Sequence, residues 1–222
     1  SVALTLDILV HEVDVSITAE CVLPVEHHLM ARPGTRLEEL RAVLSHPQAL
    51  AQCRQSLDRL VPGAELKAAT STAEAAHIVS ESREPWAALG TKLAASLYGL
   101  VILKEGLQDR PGNATRFVST GRTPRPRTGR DKTSIVFAFR TDKPGNLYNA
   151  LKAFAERNIN LTKLESRPAK KSLGDYLFLV DMEGHAEDPD VAAALEEVLS
   201  QCSFFKLLGS YPRVDYLRAN GI

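Results

Sequence analysis

The chain has 222 residues, enough for one large domain or two ordinary ones. Lys and Arg total 27 and so do Asp and Glu, which excludes a broad field favouring nucleic acid or an anionic membrane. We find no apolar run long enough to span a bilayer and no basic-then-apolar leader. The odd number and wide spacing of the three cysteines lead us to expect a cytoplasmic protein.

The cysteines and histidines do not predict a metal site. Cys21, Cys53 and Cys202 are widely spaced in apolar sequence and are interpreted as reduced core thiols. The six histidines lack metal-ligand spacing, and His27 and His28 occupy strand-like sequence in which neighbours point to opposite faces. We expect neither a metal nor an organic cofactor.

The first residues, 1–9, have the apolar spacing of a helix but no start signal. An uncapped amphipathic helix at the start predicts that the natural chain has an upstream piece. Val15 to Val25 alternates as a strand, and Leu37 to Leu44 predicts a short helix that runs into a strand end.

Ser45-His46-Pro47-Gln48 has the pattern of a capping box and predicts a helix that continues through Leu60. The N–H groups and dipole at a helix start attract anions by typically ~0.3 to 1 kcal/mol per charge. Ser45 would stand at the mouth of this anion site, with Gln52 one further turn along.

A second helix start of the same kind follows the strand Lys67-Ala68-Ala69. Ser71-Thr72-Ala73-Glu74 is a capping box for a helix from Ala73 to Ser82. A buried strand at residues 86–90 and a helix at residues 92–97 complete the pattern, which predicts a parallel sheet with ligand groups at the carboxyl ends of its strands. Plain helix termination is the alternative explanation of each cap.

After the apolar run from Leu93 to Leu107 comes Asn113-Ala114-Thr115-Arg116-Phe117. The Thr115 hydroxyl can donate a proton or hydrogen bond to an oxygen, while Arg116 holds a carboxylate with two hydrogen bonds. Alternatively, the segment opens a strand with Arg116 solvated and Phe117 in the core. Together with the two helix starts, it predicts a cleft that binds carboxylates.

Residues 119–133 are rich in Pro, Gly and Arg without apolar periodicity, and are interpreted as an exposed linker. A nucleic-acid arm is the alternative, although no aromatic residues are interleaved for stacking. The elements that follow predict a ferredoxin-like βαββαβ domain. They are the strand 135–139, the helix 147–157, the strands 159–167 and 175–183, the helix 190–202 and the strand 204–208.

Three motifs together resemble those of bacterial prephenate dehydratase: residues 45–53 (SHPQALAQC), 113–117 (NATRF) and 165–168 (ESRP). The resemblance covers essentially the whole chain. It implies an α/β fold in which a two-lobed, periplasmic-binding-protein-like (type II) catalytic domain, N-terminally incomplete, precedes an ACT regulatory domain. The implied boundaries are a catalytic portion at 1–118, a linker at 119–133, the ACT domain at 134–213 and a tail at 214–222.

The resemblance also implies site residues. The family's catalytic threonine falls on Thr115, with Arg116 and Phe117 completing its tripeptide and Asn113 beside it. Ser45 and Gln52 match residues implicated in the substrate site, and the helix start at Ser71 and Thr72 would bind a carboxylate. The implied reaction is the conversion of prephenate to phenylpyruvate.

An effector site for L-phenylalanine is implied in the ACT domain. The family's Gly-Ala-Leu-Val turn is here Gly145-Asn146-Leu147-Tyr148, preceded by Asp142, and its second motif is intact at Glu165-Ser166-Arg167-Pro168. The larger Asn146 and Tyr148 depart from the family pattern at this pocket. Phenylalanine would sit between two subunits, in a homodimer formed through the ACT domains or in a homotetramer.

Two functions remain open at this point. One is a prephenate dehydratase controlled by phenylalanine. The other is a catalytically inactive protein that senses an amino acid through its ACT domain, since the family's opening strands and an upstream Glu-Asn-Ser segment are absent here.

Overall fold

The computed structural model describes residues 3–110, 112–168 and 176–214. The chain divides into two compact units: a continuous unit, Leu23–Thr115, and a discontinuous unit made of Ser1–Val22 and Arg116–Ile222. Two paired strands, β1 (Ser16–Pro24) and β7 (Ala114–Gly121), carry the chain across the two boundaries. The boundary at β7 therefore falls inside the predicted catalytic motif, between Thr115 and Arg116.

The continuous unit is built on a five-stranded sheet with the order β4-β3-β5-β2-β6. Its strands are β2 (His28–Ala31), β3 (Ala42–Ser45), β4 (Glu65–Ala68), β5 (Trp86–Gly90) and β6 (Val101–Lys104). β3 is parallel to β4 and β5, as predicted, but β2 is antiparallel to both β5 and β6. The parallel prediction, made for the strands alternating with capped helices, is therefore confirmed for β3, β4 and β5, and the antiparallel β2 lies outside that pattern.

Four helices cover this sheet: α2 (Pro47–Gln52), α3 (Arg54–Leu60), α4 (Thr72–Glu81) and α5 (Lys92–Leu97). A 3-10 turn at Leu37–Glu39 precedes β3. The single helix predicted through Leu60 is broken at Cys53, which closes α2 and opens α3. Successive strand residues point to opposite faces of the sheet, and each face packs in its own hydrophobic core. Leu29 and Val43 lie in one core, and Met30 and Leu44 in the other.

The discontinuous unit contains the predicted βαββαβ domain. Its sheet has the order β11-β8-β10-β9, and all its neighbouring strands are antiparallel. This is the ferredoxin-like arrangement, so the prediction is confirmed. The elements are β8 (Asp131–Phe139), α6 (Asn146–Ala155), β9 (Leu161–Pro168), β10 (Tyr176–Glu183), α7 (Pro189–Ser200) and β11 (Cys202–Pro212).

Both faces of this antiparallel sheet are covered. The helices α6 and α7 pack on one face around Phe137, Phe154 and Val180. On the other face, α1 (Ala3–His11), β1 and β7 contribute apolar side chains to a core that includes Ile17 and Tyr211. Elements from both ends of the predicted catalytic portion are thus packed on this antiparallel sheet.

Two contacts hold α1 and β1 against the antiparallel sheet, one through a lysine side chain and one between backbones. Lys206 Nζ donates to the carbonyl oxygens of Leu9 and Val13, each at 2.8 Å, at the C-terminal end of α1, where a cation is favoured. Gly209 lies against the backbone of Ile17, so that a Cβ at this position would be 2.3 Å from the Ile17 carbonyl oxygen. The close approach of β1 to β11 therefore requires glycine.

The cysteines differ in exposure. Cys53 and Cys202 are buried, and burial raises the pKa of their thiols to about 12 and about 11. Cys21 is exposed, so the interpretation of it as a core thiol was wrong. Among the helices of the described residues, none has the length and apolar character needed to cross a membrane.

Candidate active site

A cleft of about 340 Å³ opens in the continuous unit, where β3 and β4 end and the helices that follow them begin. Residues that line it and were predicted from the sequence are Gln52, Ser71, Thr72, Asn113 and Thr115. Val25, His27, His46, Gln48, Ala49 and Thr70 complete the lining. Ligand-binding side chains commonly lie at such a place, because the carboxyl ends of parallel strands meet at one edge of the sheet.

Gln52 lies at the centre of the polar lining. Its Oε1 accepts hydrogen bonds from His27 Nε2 at 3.1 Å and from Asn113 Nδ2 at 3.1 Å. With the oxygen held by two donors, the amide group of Gln52 has a fixed orientation and its N–H groups remain as donors. Asn113 is itself fixed, because its carbonyl oxygen accepts from the Val25 N–H at 2.8 Å.

His27 is buried beside Gln52, with 5% of its surface exposed. Donation from Nε2 to Gln52 leaves Nδ1 as a lone-pair acceptor, and Nδ1 is buried without a hydrogen-bond partner among the described residues. His27 therefore helps to fix the orientation of the Gln52 amide.

The helix start at α4 has the predicted form. Ser71 Oγ accepts from the Glu74 N–H at 3.0 Å, while the Glu74 carboxylate accepts from the Thr70 N–H at 2.6 Å. The first turn still leaves the N–H groups of Thr72 and Ala73 without intrahelical partners. Because hydrogen bonds from Thr70 hold the pKa of Glu74 below its usual value, this carboxylate stays charged beside the helix start.

The start of α2 differs from the prediction. Its N-cap is His46, whose Nδ1 accepts from the Gln48 N–H at 3.2 Å, and not Ser45. Ser45 is fully buried, and its hydroxyl donates to the Leu89 carbonyl oxygen at 2.6 Å. The structure therefore places Ser45 in the sheet, behind the residues that line the cleft.

Thr115 and Arg116 are separated by the alternation of β7. Burial along the strand alternates, with Thr115 and Phe117 more exposed than Arg116 and Val118. Thr115 lines the cleft of the continuous unit. Phe117 is on the same face of the strand and is 53% exposed, but does not line the cleft.

Arg116 contacts acidic residues of the discontinuous unit. Its Nε donates to Glu20 Oε2 at 2.7 Å, its Nη1 to Asp181 Oδ2 at 2.7 Å, and its Nη2 to the Tyr211 hydroxyl. Three of its five N–H groups are thus engaged within the discontinuous unit, and Arg116 does not line the cleft that contains Thr115.

We call this group the Arg116 cluster: Glu20, Arg116, Lys132, Ser134, Asp181 and Tyr211. Lys132 Nζ donates to both carboxylate oxygens of Glu20, at 2.8 and 3.0 Å, and Ser134 bonds both Asp181 and Tyr211. Two cations therefore face two carboxylates. Burial would lower the pKa of Arg116, but the charge of Asp181, with Tyr211 and Glu20, raises it above its ordinary value.

The cleft itself carries neutral hydrogen-bonding groups. None of the residues that line it, as described in this structure, is Lys, Arg, Asp or Glu. An anion in the cleft would be held by amide, hydroxyl and imidazole donors and by the start of α4.

The predicted effector residues lie in the discontinuous unit. Gly145 has φ +92° and begins α6, while Asn146 Nδ2 donates to the Thr141 carbonyl oxygen at 2.6 Å. Asp142 is exposed, Leu147 is half-buried and Tyr148 is 67% exposed. The turn that carries these residues follows the end of β8.

The second effector motif is at the end of the edge strand β9. Ser166 is opposite Phe178, which is opposite Phe137, so the motif and the turn after β8 are at the same end of the sheet. Glu165 and Arg167 point to the face covered by α1, where Arg167 is 3.8 Å from Asp7. Pro168 pairs with Tyr176 across the strand ladder.

The sequence did not indicate several residues of the site. His27 and His46 line the cleft but lack any metal-like or catalytic spacing. Glu20, Asp181 and Tyr211 were missed because they lie 96, 65 and 95 residues from Arg116. The alternation of β7 was the available signal, since it places Thr115 and Arg116 on opposite faces.

Comparison with known proteins agrees with this architecture. The family model described as "Prephenate dehydratase" matches residues 1–125, and the one described as "ACT domain" matches residues 133–200. A prephenate dehydratase of Methanocaldococcus jannaschii is 44% identical over 97% of this chain, which covers 78% of that protein. Arogenate dehydratase 5, chloroplastic, of Arabidopsis thaliana is also 44% identical, over 88% of this chain, but only 50% of its own length is covered.

Among solved structures, the prephenate dehydratase of Arthrobacter aurescens in complex with L-Phe superposes with a TM-score of 0.85 at 38% identity, covering 96% of this chain and 71% of that one. An open α/β cleft joined to a ferredoxin-like ACT domain defines a regulated enzyme of the dehydratase type. The chain belongs to the prephenate dehydratase family.

Proposed function

We propose that this protein converts prephenate to phenylpyruvate and that L-phenylalanine controls the rate through the ACT domain. The observation that carries the proposal is the position of the Thr115 hydroxyl, in a cleft that also presents the fixed amides of Gln52 and Asn113. At about 340 Å³ the cleft is at the lower end of ligand pockets, roughly 300 to 1,000 Å³, and suits a small ligand.

The reaction needs little from the protein beyond binding and polarisation. As the ring carboxylate leaves as carbon dioxide, its bonding electrons enter the ring and displace the allylic hydroxyl as hydroxide, which takes a proton to become water. Formation of the aromatic ring drives this step. The protein must hold the anion in position and stabilise the negative charge that develops on the departing oxygen.

Thr115 is proposed as the donor to that oxygen. A positioned hydrogen-bond donor to a developing negative oxygen contributes typically ~10²- to 10³-fold. A threonine hydroxyl is a weak acid, and the guanidinium of Arg116 is engaged elsewhere, so Thr115 acts by polarising the departing hydroxyl and not by full proton transfer.

The carboxylates are proposed to bind to neutral donors. Gln52 and Thr72 line the cleft, and the first turn of α4 leaves the N–H groups of Thr72 and Ala73 without intrahelical partners. A helix start contributes ~0.3 to 1 kcal/mol per charge. Asn113 and Ser71 hold this arrangement through their own hydrogen bonds. Ser45 and Phe117 do not line the cleft and are not assigned contacts with substrate.

Phenylalanine is proposed to bind near the turn at Asp142–Tyr148 and the motif at Glu165–Pro168. The solved relative from Arthrobacter aurescens carries L-Phe, and both of the family's effector motifs are recognisable here. The two segments are at one end of the sheet, and the exposed edge strand β9 offers unpaired backbone groups to a second copy of the chain. We therefore propose a homodimer joined at the ACT domains.

The test is turnover of the full-length protein with prephenate and, separately, with arogenate, because one similar protein is an arogenate dehydratase. Formation of phenylpyruvate and carbon dioxide in equal amounts from prephenate, with a rate that changes with phenylalanine, is the expected result. Release of phenylalanine from arogenate without turnover of prephenate would reassign the substrate. Absence of both products, with phenylalanine still bound, would favour the sensing protein.

Dimerisation is tested separately, by light scattering of the full-length protein after size exclusion. Leu164 on β9 is 44% exposed, and Leu164→Glu would put a charge on the edge strand. We expect the variant to be monomeric at concentrations where the wild type is a dimer. A dimer unaffected by this change would place the interface elsewhere.

A further inference from the structure

We propose that Arg116 is a positioning residue that couples the regulatory sheet to Thr115, with Asp181 as its essential partner. The inference rests on the proposed function, because it specifies how phenylalanine bound at the ACT domain acts on turnover. The Arg116 cluster and the peptide bond between residues 115 and 116 form the coupling element.

The cluster links the paired strands β1 and β7 to strands of the ACT sheet. Arg116 is on β7 and Glu20 on β1, whereas Asp181 is on β10 and Tyr211 on β11 of the ACT sheet. The side chains of Glu20 and Asp181 are 0% and 10% exposed, and each accepts an N–H of Arg116 at 2.7 Å. A shift of β10 by even an ångström would therefore break or move a bond to Arg116.

Thr115 cannot move independently of Arg116. The two residues are consecutive in an extended strand, so a rotation or shift of Arg116 is passed to the backbone of Thr115. Because a donor must lie within a few tenths of an ångström of the oxygen it stabilises, a small shift of Thr115 alters the rate of the chemical step.

The cluster also connects to the effector motif. Lys163 on β9 is directly opposite Asp181 on β10, and Lys163 Nζ is 2.9 Å from Glu165 Oε2. Glu165 and Arg167 belong to the effector motif, and both point to the same sheet face as Asp181, the face covered by α1. A row of alternating charges therefore runs from the effector motif to Asp181, and from there to Arg116.

The cluster therefore allows two states, one in which the contact between Arg116 and Asp181 is made and one in which it is broken or moved. In the state described here, Arg116 is neutralised by its carboxylate partners and Thr115 is held in the cleft. A ligand that moves β9 relative to β10 shifts Asp181 and changes the population of that state, provided that it binds the two states with different affinity.

The experiment compares the full-length wild type with Asp181→Asn, which keeps the shape of the side chain and removes its charge. The matched control is Thr133→Val. Thr133 is on the neighbouring β8, is fully buried, and bonds Gly184 and Ser210 at 2.7 and 2.8 Å, away from the cluster. For each protein, phenylpyruvate formation is measured against phenylalanine concentration, and phenylalanine affinity is measured by equilibrium dialysis.

We expect the response to saturating phenylalanine, expressed as the ratio of each protein's rate with and without phenylalanine, to shrink at least about fivefold in Asp181→Asn while phenylalanine still binds; fivefold is the lower end of typical allosteric coupling. Thr133→Val should keep the full response. A wild-type response in Asp181→Asn would overturn the proposal, and so would an equal loss of response in Thr133→Val.

Hydrogen exchange of residues 114–121 provides a second readout that does not depend on turnover. Phenylalanine should change the protection of this strand in the wild type and not in Asp181→Asn. If the wild type forms no phenylpyruvate, the proposed function fails, and the exchange result alone decides the coupling. A wild type that binds no phenylalanine, or whose strand is unaffected by it, overturns the coupling.

Tyr211→Phe answers the same question if Asp181→Asn does not fold. This change removes only the hydroxyl that accepts from Arg116 and bonds Ser134 at 2.6 Å. We expect a smaller loss of response than for Asp181→Asn, with affinity for phenylalanine retained. An unchanged response in a folded Tyr211→Phe, measured with Asp181→Asn unfolded, would overturn the proposal.

Discussion

Thr115 and Arg116 are consecutive residues of β7, yet Thr115 lines the cleft of the continuous unit and Arg116 binds Glu20 and Asp181 within the discontinuous unit. Since all three guanidinium nitrogens are engaged in that cluster, the two residues of the motif have different tasks. We assign Thr115 to contact with the ligand, and Arg116 to anchoring the strand that contains Thr115.

Arg116→Met should therefore reduce stability strongly. The substitution leaves two carboxylates with little or no exposure to solvent and without their shared cation, which costs about 3 to 5 kcal/mol for a buried pair. Urea unfolding of wild type, Arg116→Met and Arg116→Lys measures this cost, and the lysine variant should be intermediate because one ammonium cannot reach all three partners. A methionine variant as stable as the wild type, with a sharply raised KM for prephenate, would show that Arg116 contacts the substrate.

The stability of the discontinuous unit should fall in acid through Glu20. Burial would raise the pKa of Glu20, but hydrogen bonds from Lys132 and the Val214 N–H, with the charges of Lys132 and Arg116, hold it below its ordinary value. The unfolded carboxyl titrates at about 4.3. Its contribution is therefore complete above that pH and is lost as the pH falls through the lower, folded value.

Glu20→Gln tests this pH dependence. The free energy of unfolding, measured by urea titration between neutral pH and pH about 3, should vary less in the variant than in the wild type. The variant should also be less stable at neutral pH, because Lys132 and Arg116 lose a charged partner. Parallel pH curves for the two proteins would show that Glu20 is not held charged by the cluster.

Gly209→Ala should loosen the docking of β1 on the ACT sheet. The added Cβ would be 2.3 Å from the Ile17 carbonyl oxygen and 2.8 Å from its nitrogen, and φ at this residue is +147°. Overpacking and backbone strain together cost roughly 2 to 5 kcal/mol. Gly63→Ala is the control, since a Cβ there meets nothing within 4 Å. Comparable melting temperatures for the two variants would contradict the close approach of the two strands.

Ser45→Ala should act on stability and leave substrate binding near wild type. The fully buried hydroxyl donates to Leu89 O at 2.6 Å, so its removal leaves a buried acceptor short of one bond, at about 1 to 3 kcal/mol. Gln52→Leu is the contrasting variant, because it removes donors that line the cleft and should raise KM. A large increase in KM for Ser45→Ala, with stability unchanged, would show that Ser45 contacts substrate.

Local patterns in the sequence predicted much of the fold. The strand Trp86–Gly90 and the helix Lys92–Leu97 were located at their observed bounds, and the capping pattern at Ser71 forms as expected. β6, Val101–Lys104, was missed because its four residues lie within a longer apolar run. The antiparallel direction of β2 was also missed, since strand direction depends on connections and not on the apolar pattern of the strand itself.

The cleft was predictable where the signal was local, and the Arg116 cluster was not. Gln52, Asn113 and Thr115 belong to recognisable motifs, and the structure brings them together in one cleft. The partners of Arg116 lie between 65 and 96 residues away and are ordinary strand residues in the sequence. Only the three-dimensional packing of β7 and β1 on the ACT sheet assigns Arg116 to them.

Kinetics of Thr115→Val and Thr115→Ser with prephenate test the central claim most directly. Valine keeps the shape of the side chain and removes the hydroxyl, so the rate of phenylpyruvate formation should fall ~10²- to 10³-fold with little change in stability. Serine keeps the hydroxyl and should retain most of the activity. Substantial turnover by a folded Thr115→Val would contradict the assignment of Thr115 as the donor to the departing hydroxyl.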